Sequence, residues 1–187
     1  MTLQAKSGRI VAVLVLAMTV RAGHLHAQVL NSGAKTIALQ AVLPPSLTVA
    51  LSGNAVNFNL SPGSANNPGS TSITATTSWA VNNIIGFVSL YAFFANSASA
   101  MTDGAGDNIP SADFQISDNA GAFNALTNTV PFGGANAGLR VSATLILVTN
   151  MSGSRTDVLN FNTNLSTLPN LPAGTYTGTL TLQAQAI

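Results

Sequence analysis

Cysteine and glutamate are absent from the chain, and Asp, Lys and Arg together make up only 6% of its 187 residues. An average soluble domain carries roughly 25% charge. Without cysteine there is no disulfide, no thiolate nucleophile, no thiolate metal site and no lipid attachment through an N-terminal cysteine. The only two histidines are His24 and His26. Both lie in a segment expected to be removed, so a Ser-His-Asp or Cys-His system has no base in what remains. The same losses exclude the usual ligand sets of zinc, copper, haem and iron–sulfur centres, and no cofactor is expected.

The expected removal concerns residues 1–27, which have the features of a secretory signal peptide. Lys6 and Arg9 form a positive start, and Ile10 to Val20 is an apolar core of eleven residues. A bilayer span takes roughly 20. Cleavage is placed after Ala27, with Ala22 and Gly23 as alternatives. Residues 28–187 then keep three cations, Lys35, Arg140 and Arg155, against Asp103, Asp107, Asp113, Asp118 and Asp157, a net charge of −2. Three cations cannot form a nucleic-acid footprint, so no nucleic-acid partner is expected. No membrane span is expected after cleavage.

The rest of the chain alternates with the period of a strand and shows no helical period. Ile37, Leu39, Ala41 and Leu43 fall on one face of Lys35 to Leu43, and Pro44-Pro45 ends that run. Leu47 to Leu51, Val56 to Leu60, Ser72 to Val81, Phe87 to Phe94, Ala112 to Ile116, Leu139 to Val148, Asp157 to Leu165 and Tyr176 to Ile187 follow. Phe87 to Phe94 is apolar on both faces and predicts a central strand. Loops rich in Gly, Pro, Ser and Asn separate these runs. The pattern predicts an all-β protein, a single immunoglobulin-like β-sandwich of about seven to nine strands spanning residues 28–187. A membrane barrel also alternates, but aromatic residues at 6% are thin for two interfacial girdles.

Few residues suggest a site. Asp103-Gly104-Ala105-Gly106-Asp107-Asn108 sets two carboxylates and an amide in a glycine-rich loop, so Asp103, Asp107 and Asn108 are weak calcium candidates. Their spacing does not match a calcium-binding helix–loop–helix, no glutamate offers a bidentate ligand, and a solvated loop is the plainer reading. Trp79, the only tryptophan, is either a sugar platform or a core filler; its inward phase favours the filler. Nothing separates an acid from a base among the aspartates, and the chain is not read as an enzyme.

The two ends carry the strongest signal. Lys35-Thr36-Ile37-Ala38-Leu39-Gln40-Ala41-Val42-Leu43-Pro44 stands at one, and Ala173-Gly174-Thr175-Tyr176-Thr177-Gly178 at the other. Both resemble segments of the major subunits of alpha-type chaperone–usher fimbriae, which also lack cysteine. The second segment is similar as well to spore-coat-U-type secreted domains. The fimbrial resemblance implies an incomplete sandwich whose open groove is filled first by a periplasmic chaperone. The N-terminal strand of the next subunit then replaces the chaperone, giving a homo-polymer at the cell surface or in an extracellular filament. Residues 35–43 would be the donor strand, with Ile37, Leu39, Ala41 and Leu43 entering the groove. Two alternatives stay open: a secreted monomeric module that binds a glycan or calcium, and an envelope or spore-coat protein that forms no polymer. In either, residues 35–43 would be the first strand of a complete domain.

Overall fold

Alternation of apolar and polar side chains becomes two antiparallel sheets in the computed structural model, which describes residues 34–82 and 86–187. The signal-peptide expectation for residues 1–27 lies outside the described residues. The chain divides into two units, Met1–Ala41 and Val42–Ile187. Within the first, residues 34–41 are exposed and carry no regular secondary structure.

Among the described residues the second unit holds eleven strands, all but a few of them short. They are β1 Ser46–Leu51, β2 Asn67–Pro68, β3 Ile73–Ala80, β4 Gly86–Phe93, β5 Met101–Thr102, β6 Asn108–Ile109, β7 Phe114–Asp118, β8 Asn124–Ala125, β9 Gly138–Ile146, β10 Ser152–Thr163 and β11 Thr181–Ala186. The larger sheet runs β1-β3-β10-β7-β8, with β2 also pairing β10. The smaller runs β11-β4-β9, and β5 and β6 form a separate hairpin. Among the described residues there is no α-helix, and no helix long and apolar enough to cross a membrane.

The two sheets face each other across one core, which makes the fold an all-β sandwich. Ile73 and Ala75 of β3, Ile116 of β7, and Leu159 and Phe161 of β10 meet Leu90 and Ala92 of β4. The period of two explains β3, where Ile73, Ala75, Thr77 and Trp79 are buried and the residues between them are half-buried. Phe87 to Phe94 is central as expected: β4 pairs β9 on one side and β11 on the other. A smaller cluster of Trp79, Val88 and Ile146 fills one end. Trp79 is a core filler, and its Nε1 donates to the Asn150 carbonyl at 3.0 Å.

Four expected strands differ. Of Tyr176 to Ile187 only Thr181–Ala186 forms a ladder, and before it Thr177 makes a single bridge to Thr102. Val56 to Leu60 contributes only a single bridge, Phe58 to Gly69. Its apolar residues pack on the core, but its backbone forms no ladder. β10 begins at Ser152, ahead of the expected start at Asp157, because Ser152 to Leu159 pairs along the full length of β3. The turn is pushed back to a short 3-10 segment, Val148–Asn150. Lys35 to Leu43 has no ladder among the described residues.

Two buried polar side chains, Asn67 and Asp157, are held by small hydrogen-bond networks. Asn67 is almost fully buried, and its amide donates to the Ser64 and Thr163 carbonyls while its Oδ1 accepts from Ser61 N–H. The Asp157 side chain is wholly buried; it accepts from Ser142 Oγ at 2.7 Å and from Arg155 Nε at 2.6 Å. A buried carboxylate needs such partners because desolvation disfavours its charge.

Leu159 sits at the centre of the core at 0% exposure. Leu159→Ala is expected to lower stability by about 2–5 kcal/mol, measured by urea denaturation. A loss under 1 kcal/mol would mean that the two sheets do not share this core.

Candidate functional site

The apolar interior is not closed along one side. β1 ends the larger sheet and β11 ends the smaller, so each has one edge without a ladder partner among the described residues. These edges lie along one another. Leu51 and Leu182 line one cavity while Leu47 and Ala186 line another, so β1 and β11 run antiparallel with an opening at each end of their seam.

The opening beside Leu51 holds about 320 Å³. Core side chains of both layers form its floor: Ile73, Phe94, Phe114 and Phe161. Val56, Phe58, Leu180 and Leu182 form its half-buried walls. No charged residue lines it. The other opening holds about 370 Å³ and is lined by Leu47, Val81, Phe87, Ile146 and Ile187 among others. Phe87 and Ile187 are about half exposed or more. A surface of this kind binds through apolar contact and through free backbone groups of a sheet edge; salt would barely change such binding.

Glycines shape the groove. Gly69 lets the 56–58 segment cross β10, because a Cβ there would stand 2.6 Å from Val56 Cγ1 and 3.2 Å from Phe161 Cβ. In the C-terminal motif, a Cβ at Gly178 would strike the Ala100 carbonyl oxygen. Thr177 exchanges backbone hydrogen bonds with Thr102, and buried Tyr176 donates its hydroxyl to the Pro172 carbonyl at 3.0 Å. The motif thus fixes the approach of the chain to β11.

The calcium candidates have a different arrangement. Asp103 to Asp107 is the turn of the β5–β6 hairpin. Asp103 Oδ1 accepts from the backbone N–H groups of Ala105, Gly106 and Asp107 at 2.8, 3.2 and 3.0 Å. Asn108 donates its amide to the Gly106 carbonyl. These bonds hold the turn. Among the described residues no three acidic or histidine side chains gather into a metal-sized group. The expected donor residues Ile37, Leu39, Ala41 and Leu43 are exposed, Leu39 to 92%.

The groove lining was only partly readable in the sequence. Val56 and Phe58 were expected to face inward, but as a strand. That they are walls follows from the missing ladder, which periodicity cannot show. Compared with known families and curated proteins, the chain matches no family model and no curated protein.

Two carboxylates beside β7, neither of which lines the groove, are shifted by their surroundings. Burial pushes the Asp113 carboxyl above its ordinary 3.8, and a hydrogen bond from Thr167 partly offsets this. Burial and then the charge of Asp157 push Asp118 up, against the pull of Arg155. Both are harder to ionise in the fold than in the unfolded chain, so the fold binds protons first as pH falls. Their contribution is fully present below the unfolded value and lost as pH rises through the folded one. The melting temperature is therefore expected to be higher at about pH 3.5, below the unfolded value, than at about pH 7.5, and Asp113→Asn to shrink the difference. An equal or lower melting temperature in acid would contradict this.

Proposed function

We propose that this chain is the structural subunit of an extracellular filament, exported by its N-terminal signal and assembled by donation of one strand between subunits. The observation that carries the reading is the pair of unpaired edges, β1 and β11, beside an uncharged apolar groove. The occupant is residues 35–43 of a second copy. That segment alternates Ile37, Leu39, Ala41 and Leu43, and its residues are exposed without a ladder. Cα atoms of β1 and β11 approach within 8 Å, less than the roughly 9.6 Å that a strand paired with both would need, so the two edges would part as the donated strand pairs with them and covers the core with its apolar side chains. Donation from one copy to the next is head-to-tail, so it propagates instead of closing. On this reading the fold is an immunoglobulin-like sandwich lacking one strand, and a periplasmic chaperone covers the groove before assembly. The near absence of surface charge favours association.

The experiment compares two chains by size-exclusion and thermal melting. One is residues 28–187. The other begins at Pro45 and carries a copy of Lys35 to Pro44 on a flexible linker after Ile187. The first should form a ladder of oligomers. The second should be a monomer whose melting temperature is higher by on the order of 10 °C, from burial of three large aliphatic side chains. If the first chain is a cooperative monomer as stable as the second, the domain completes itself and the filament reading fails.

A further inference from the structure

Strand donation between copies faces a competitor. Each chain carries its own donor segment two residues from the edge of its own groove, since residues 35–43 are joined to β1 only through Pro44-Pro45. A tethered segment acts at an effective concentration near millimolar. At about micromolar protein, self-donation would therefore win by roughly a thousandfold if the chain could make it. A filament subunit needs an obstacle to it. We propose that Pro44-Pro45 is that obstacle: the pair prevents the segment from entering its own groove, so the partner strand comes from a second copy of the chain. This inference rests on the strand-donation reading above.

The argument is one of backbone geometry. To lie beside β1 in the antiparallel sense, the segment must reverse at residues 44–45. Two-residue hairpin turns need positive φ at one or both central positions, and the proline ring holds φ near about −65°. Pro44 also precedes Pro45, which disfavours the helical backbone that a type I turn needs at that position. Moving the turn forward to Pro45-Ser46 would use up Ser46 and Leu47, which pair with Ala80 and Trp79 of β3. Moving it back would place Pro44 at the turn position where a type I turn disfavours proline. To lie beside β1 in the parallel sense, the chain needs a crossover of about a dozen residues or more, and only two are present. Both senses of self-insertion are blocked, one by the prolines and one by the short link. Leu43 and Pro44, each followed by proline, are instead biased to extended backbone.

Two variants of the exported chain test this. Pro44→Asn with Pro45→Gly supplies the residues that a type I′ turn favours. The second variant keeps both prolines and inserts a flexible Gly/Ser stretch of about a dozen residues between Leu43 and Pro44, long enough to return in either sense. Each is followed by size-exclusion and by capture of a fluorescent peptide with the sequence of Lys35 to Leu43; circular dichroism reports that it folds. The expected result is that the unaltered chain polymerises and captures the peptide. Both variants should become mostly monomeric and capture at least tenfold less. If the unaltered chain captures the peptide and both folded variants still polymerise and capture it equally, the obstacle lies elsewhere. The inference then falls while the groove reading stands. If the unaltered chain neither polymerises nor captures the peptide, the strand-donation reading fails and takes the inference with it.

Discussion

A strand edge exposes backbone N–H and C=O groups that need partners, and in this protein two such edges face the same seam. β1 and β11 each close one sheet and each lacks a second neighbour among the described residues. The rest follows from that constraint. The two layers can meet over a common core, but they cannot seal it where both edges are unpaired. Floor residues such as Phe94 and Phe161 are buried yet still line an opening. Natural sheets usually blunt their edges with charge, proline or cover. Neither β1 nor β11 contains a charged residue. Edges left this way suit the addition of a strand.

The interior compensates for the missing cysteines without disulfides. Its aliphatic and aromatic core runs through both sheets, and Asn67 and Asp157 anchor small networks of buried polar groups. The tight approaches at Gly69 and Gly178 allow segments without regular structure to wall the groove. The groove is therefore built by parts of the chain that do not form ladders, placed by glycine and held by a few backbone bonds.

The β character, the central strand β4 and the inward Trp79 were legible because a period of two marks burial directly. Loss of pairing was not. Val56 to Leu60 and Lys35 to Leu43 alternate as well as β3 does, yet one forms a single bridge and the other no ladder. Alternation reports which side chains want to be covered and is silent about what covers them. Pro44-Pro45 is legible as a strand terminator, and β1 begins directly after it at Ser46. The Asp103 loop offers oxygen ligands in a spacing that matches no calcium-binding helix–loop–helix, and hairpin geometry turns Asp103 Oδ1 onto three backbone N–H groups of its own turn.

Amide hydrogen exchange on residues 28–187, with and without an excess of free peptide of sequence Lys35 to Leu43, tests the central claim most directly. The account predicts that the outward amides of β1 and β11 exchange quickly without the peptide. Both edges should slow together by at least tenfold when it is added. Amides on both edges already protected without peptide, or unchanged with it, would contradict an open groove that takes a donated strand.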